Sequence, residues 1–197
     1  MKLHKYDSEE QYREIQIEAN KRKLDWVWVK RSSIQRIVQF MVDNVWETEI
    51  NDTEPSEYAA LKKVLCHGTR NAKEQKLFRE FIAKMYDMIV IGTEISPTAD
   101  QFSDTIQWDF HDQKPDWIGN FDIVYSNALD HSHSPKECVQ TWLDQLNEDG
   151  LLFVEWSKDN LKSNAINPFS GTPEEWEAMF PVVDKISGEG TVIFVMK

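Results

Sequence analysis

Hydrophobic and polar positions change period along the chain. Residues 8–21 are rich in Glu, Gln and Arg and read as a largely polar helix. Ile34, Ile37, Val38, Met41 and Val45 then recur at helical spacing, and Ser32 with Gln35 has capping-box form, so a second helix with one apolar face is expected. Between them, residues 24–29 alternate and put Leu24, Trp26 and Trp28 on one side of a short extended segment. Large aromatics are usually buried, so this pair is expected to plug the main core; the other reading is that it lines a substrate. Residues 47–60 are polar and turn-rich and read as a linker. The expected division is a helical N-terminal extension at 1–55 and a main domain at 56–197.

From residue 61 short apolar runs alternate with helical patterns, which is the signature of parallel βαβ architecture. Strands are expected at 64–66, 88–92, 105–108, 121–126 and 151–156. The helix over 72–86 carries Phe78, Phe81, Ile82 and Met85 on one face. Ser96-Pro97 opens a short helix, and Ser134-Pro135-Lys136-Glu137 has capping-box form ahead of Val139, Trp142, Leu143 and Leu146, with Asp149-Gly150 as the stop. Thr172 and Pro173 cap one more short helix. Strands at 182–186 and 191–196 are joined by Ser187-Gly188-Glu189-Gly190, too short for a helical crossover, so they pair antiparallel. The pattern predicts an α/β, Rossmann-like, doubly wound and mostly parallel seven-stranded sheet with a terminal antiparallel hairpin.

Charge narrows the function classes. Lys and Arg number 22 against 34 Asp and Glu, a net charge of −12. Residues 1–50 balance at nine of each sign, so the whole excess lies beyond residue 50. Such a surface repels phosphate backbones and anionic lipid, which disfavours nucleic acid or membrane as the main partner and favours a small molecule. The basic group Lys21-Arg22-Lys23 with Lys30-Arg31 reads as a solvated helix end, or as a local anion patch. No apolar run approaches the roughly 20 residues that cross a bilayer, and the first ten residues carry charges where a signal peptide needs apolar ones, so the expected compartment is the cytoplasm. Cys66 and Cys138 are expected to be buried thiols rather than a disulfide or zinc site.

Four segments, in order, sit at or just after strand ends, where open α/β sheets bind ligands. They are Val64-Leu65-Cys66-His67-Gly68-Thr69-Arg70-Asn71-Ala72, Ile91-Gly92-Thr93-Glu94-Ile95-Ser96, Trp108-Asp109-Phe110, and the run from Phe121 through Asn127-Ala128-Leu129-Asp130-His131. This set resembles the class I S-adenosylmethionine-dependent methyltransferases over residues 61–197. The resemblance implies S-adenosylmethionine as cofactor, with His67, Gly68, Thr69 and Arg70 cradling its methionine part. It puts Glu94 and Ile95 at the ribose, Asp109 and Phe110 at the adenine, and Asn127 under the transferred methyl. A carboxylate such as Glu94 can accept from both hydroxyls of a diol. The chain departs from the family at Cys66, where an acid is usual, and in having one glycine in the first loop; Arg70 offers the methionine carboxylate a bidentate partner instead. A G-x-G-x-x-G turn is absent, which disfavours a nicotinamide dehydrogenase. No Asn-Pro-Pro-aromatic run follows the fourth strand, so the expected acceptor is a small molecule or sugar-like compound methylated at oxygen or nitrogen.

Four of the five histidines, His67, His111, His131 and His133, follow strands. Methyl transfer to oxygen needs a base near neutral pKa, and the expected catalytic pair is His131 with Asp130, or else His133, orienting it. Asp109, Asp112 and Asp130 beside the imidazoles raise a metal-dependent enzyme as another reading, but the spacing fits no zinc motif and no metal ligand is assigned. A third reading is a cofactor-binding or interaction module that keeps the fold without catalysis. The resemblance further implies that the N-terminal extension caps the acceptor pocket.

Overall fold

The computed structural model describes residues 1–46, 61–83, 85–188 and 190–197. The linker expected at 47–60, with the boundary between 55 and 56, lies outside them. After a two-residue strand β1 (Lys2–Leu3), helix α1 (Glu9–Arg22) is capped by Ser8, whose hydroxyl accepts from the Gln11 amide. Helix α2 (Arg31–Asn44) starts one residue ahead of the expected cap. Lys30 is its N-cap, without a side-chain bond, so Ser32 and Gln35 form no capping box. Ser33 is instead turned inward, where its hydroxyl donates to Glu155 at 2.7 Å.

The main sheet is built from β2 (Lys62–His67), β3 (Met88–Glu94), β4 (Thr105–Gln107), β5 (Phe121–Ser126) and β6 (Leu146–Ser157), closed by β8 (Val182–Gly188) and β9 (Thr191–Met196). Its order is β4-β3-β2-β5-β6-β9-β8. The first five strands pair in parallel, and β9 is antiparallel to both β6 and β8. The seven-stranded, mostly parallel sheet with its terminal hairpin therefore stands as the sequence predicts. A second sheet was not foreseen: β1 pairs antiparallel with β7 (Phe169–Ser170) and fastens the start of the chain beside the loop after β6. Two-residue strands carry no readable period.

Strand residues alternate between two cores, as a sheet covered on both faces requires. Val64, Cys66, Ile123, Tyr125, Phe153 and Val195 face α2 and α3 (Lys73–Ile82), while Leu65, Val124, Leu152, Val154 and Phe194 face α4 (Pro135–Asp144) and α5 (Pro173–Met179). Ile34, Ile37, Val38 and Met41 are at most 4% exposed within the first core. Helix α2 is thus a layer of the main domain, and each of its large apolar side chains contributes about 1.5–3 kcal/mol by burial. Both cysteines are buried and free.

Three local expectations change. Trp26 and Trp28 are 54% and 53% exposed rather than a core plug; Val29, on the opposite side of the alternation, is the residue that enters the core. Ser134 makes no side-chain cap, and Ser132 Oγ accepts from the Ser134 amide instead, although Pro135 does hold the first helical position. Helix α4 ends at Asp144 and β6 begins at Leu146, so Gly150 lies in the strand, where a Cβ would meet the Phe121 carbonyl at 2.5 Å.

Candidate functional site

The strand order reverses between β2 and β5, and the crevice beyond their carboxyl ends is where this topology binds ligands. A cavity of about 380 Å³ fills it, the size of a small-molecule site. Helix α1 closes the top. Tyr12, Gln16 and Asn20, spaced four residues apart, share one face of that helix and all line the cavity. Arg13 pairs with Asp109 and Asp112 at 3.5 and 3.2 Å, and Gln16 Nε2 donates to the Ile166 carbonyl at 2.8 Å, so α1 is tied to two loops at once. Trp26 and Trp28 line the mouth. Their segment is hooked to the β2–α3 loop by Asn71, whose side-chain amide donates to the Leu24 and Trp26 carbonyls.

That loop has an unusual backbone. Gly68, Arg70 and Ala72 have φ of 71°, 40° and 56°, three alternating positions in the left-handed region that glycine normally fills. A Cβ on Gly68 would stand 2.8 Å from Ala128 Cβ, so glycine is required there by space as well. Arg70 and Ala72 hold the same conformation with side chains, at a steric cost of about 1–2 kcal/mol each. Thr69 lines the cavity beside them, and its buried hydroxyl has no partner.

Of the residues expected to hold a cofactor, Gly68, Thr69, Arg70, Glu94, Ile95, Asp109, Phe110 and Asn127 come together in the cavity wall. His67 does not. It is 1% exposed beneath the loop, stacked on Trp142 with centroids 5.0 Å apart. Its Nε2–H donates to Gln145 Oε1, and its Nδ1 accepts from Thr93 Oγ1. Burial pushes its pKa down to about 4, partly opposed by the Gln145 bond, so the ring is a neutral strut at neutral pH.

Glu94 is 2% exposed, and burial pushes its pKa up. Its Oε1 accepts from Asn20 Nδ2 at 2.7 Å and from the Ser96 amide at 2.9 Å; its Oε2 accepts from the Arg70 amide at 3.1 Å. Arg70 Nε in turn donates to Asn20 Oδ1 at 3.0 Å. Burial pushes the Asp109 carboxyl up, but the bond from His111 and the charge of Arg13 outweigh it and hold the pKa below its usual value.

The expected catalytic residues also reach the cavity, with different partners. Asp130 Oδ2 accepts from Asn167 Nδ2 at 2.5 Å. His131 is held by Gln16, because the Gln16 amide nitrogen is committed to Ile166 and its Oε1 must accept from His131 Nδ1–H at 3.0 Å. Burial lowers the His131 pKa, so the neutral ring keeps its lone pair on Nε2. His133 stacks on His111 at 4.0 Å and does not orient His131. Among the described residues no three His, Cys, Asp or Glu side chains are arranged to hold a metal ion.

Sequence reasoning missed Gln16, Asn20, Glu74, Glu155 and Asn167, all of which line the cavity. The polar stripe Tyr12-Gln16-Asn20 on a helix was the available signal for the first two; nothing local marks the others.

No family model matches the chain, and no curated protein matches it by sequence. Solved structures do match. A Burkholderia thailandensis 1,6-didemethyltoxoflavin-N1-methyltransferase, with bound 1,6-didemethyltoxoflavin and S-adenosylhomocysteine, superposes with a TM-score of 0.67 at 14% identity over 97% of this chain and 90% of that one. The fold is that of the class I methyltransferases. A Haloferax volcanii methyltransferase in complex with the Trm112 methyltransferase activator gives 0.60 at 13% identity, covering 96% and 98%. The CMeT domain of the citrinin polyketide synthase gives 0.60 at 10% identity over 84% of this chain, which spans about half (52%) of that structure. No helix among the described residues is long and apolar enough to cross a membrane.

Proposed function

We propose that the protein binds S-adenosylmethionine across the ends of β2, β3, β4 and β5 and methylates a small or sugar-like acceptor at oxygen or nitrogen. The observation that carries this reading is the convergence of the left-handed loop at Gly68, Arg70 and Ala72, the Glu94 carboxylate, and the Asp109–Phe110 pair on one cavity at the switch point of the sheet.

The residues present fit the cofactor on one condition. A carboxylate has about four acceptor positions, and three on Glu94 are taken, by Asn20, Ser96 and Arg70. A diol needs two, so Asn20 must swing away for both hydroxyls to bind. The unpartnered Thr69 hydroxyl and the Arg70 guanidinium stand where the methionine part of the ligand would lie. When bound, the cofactor supplies an electrophilic methyl group. The protein's own part is to orient the two ligands, exclude water under α1 and the Trp26–Trp28 segment, and take up the acceptor's proton at His131 Nε2. Asp130 positions the loop beside it through Asn167. Residues 8–30 act as the cap in this reading, and α2 does not.

A module that keeps the fold without turnover is the second reading; the Arg70 side chain inside the cavity and the sealed Glu94 favour it. Titration with S-adenosylhomocysteine tests the cofactor, and His131→Ala tests the base. That variant should lose about 10²–10⁴ in kcat with cofactor affinity within a few fold. Unchanged kcat removes His131 from the chemistry.

A further inference from the structure

The same cavity is also lined by Glu74, Asn127, Glu155 and Thr191, which make up its acidic end. Glu74 is 6% exposed, in the first turn of α3. Its Oε1 accepts from Asn127 Nδ2 at 3.4 Å, and its Oε2 has no partner. Glu155 is 7% exposed, and the Ser33 and Tyr125 hydroxyls each donate to one of its oxygens, at 2.7 and 2.8 Å. Thr191, 5% exposed, has a hydroxyl without a partner. The Asn127, Ser33 and Tyr125 donors are therefore committed, and what stays open is carboxyl oxygen, chiefly Glu74 Oε2, and the Thr191 hydroxyl. A buried acceptor left unpaired costs about 1–3 kcal/mol, so the complement of this end is a ligand group that brings hydrogen-bond donors. Burial, with Glu155 nearby, pushes the Glu74 pKa up to about 7, so a cationic donor placed there holds the carboxyl ionised and an anion does not. At the mouth of the same cavity, the Trp26 and Trp28 rings are half exposed, 6.1 Å apart and tilted by 56°, a surface on which a planar ring can stack.

We propose that this end is the acceptor subsite and that it takes a planar nitrogenous compound, its N–H donors on Glu74 Oε2 and Thr191 Oγ1 and its ring against Trp26 and Trp28. The word acceptor rests on the methyltransferase reading; the subsite itself does not. An amino or amidino nitrogen offers two donors to the two open groups, where a hydroxyl offers one.

The probes are benzamidine, benzyl alcohol and benzoate, titrated into the full chain with and without S-adenosylhomocysteine and followed by tryptophan fluorescence and calorimetry. Benzamidine should bind at least tenfold more tightly than benzyl alcohol, and benzoate should not bind. Glu74→Gln turns the open oxygen into a donor and should weaken benzamidine at least tenfold, with S-adenosylhomocysteine affinity unchanged. Trp28→Ala, at an exposed site that cannot unfold the core, should weaken it severalfold. No benzamidine binding to the wild type, equal or better binding of benzoate, or full affinity in both variants overturns the proposal. If benzamidine binds as described and S-adenosylhomocysteine does not, the subsite stands and the methyltransferase reading falls.

Discussion

Asn20→Ala separates stability from affinity in a way only the gating role of Asn20 predicts. The substitution removes two bonds: the 2.7 Å bond to the Glu94 carboxylate and the 3.0 Å bond from Arg70 Nε. Hydrogen bonds to charged groups contribute about 1.5–3 kcal/mol each, but water can enter beside the truncated side chain, so the net loss is about 2 kcal/mol. In a chain of this size that is a fall of about 4–8 °C in Tm. The same change frees the second acceptor position on Glu94, so S-adenosylhomocysteine no longer has to displace the amide. Recovering about 1.4 kcal/mol of that displacement makes binding about tenfold tighter. Thermal unfolding and calorimetric titration of the same two proteins give both numbers. A variant that loses stability and affinity together would show that Asn20 holds the ligand rather than the place of the ligand, and an unchanged Tm would show that the two bonds contribute nothing.

Ala72→Gly should raise stability by about 0.5–1 kcal/mol, the steric cost at φ 56° less the greater chain entropy of glycine, read as a higher urea midpoint. His67 should make the fold acid-labile. Its folded pKa of about 4 lies below the ordinary 6.5, so its contribution is complete above pH 6.5 and is lost as pH falls toward 4, by about 3 kcal/mol. Urea midpoints at pH 7 and pH 4 should converge in His67→Gln relative to the wild type; an equal acid loss in both proteins refutes the assignment.

The sheet was legible because its strands are short apolar runs separated by helical patterns, and the terminal hairpin because four residues cannot hold a crossover. Side-chain roles were less so. Ser32–Gln35 and Ser134–Glu137 carry the capping pattern, yet Ser33 serves Glu155 and Ser132 serves the Ser134 amide, since tertiary partners compete for the same hydroxyls. Trp26 and Trp28 alternate like core residues, but Val29 takes the core position and leaves them at the cavity mouth. That Glu94, Asp109 and Asn127 reach the cavity wall was legible because strand ends can be read from the chain. Asn20 and Asn167 were not, because they reach the cavity from a helix and a loop whose docking depends on contacts about 74 and 37 residues away in sequence.

The most direct test of the central claim is calorimetric titration of S-adenosylhomocysteine into the wild type and Glu94→Ala. Binding to the wild type with at least a tenfold loss in the variant, about 1.4 kcal/mol for the diol's charge-assisted bonds, is the predicted result. No heat of binding to the wild type at millimolar ligand, or equal affinity in the two proteins, contradicts it.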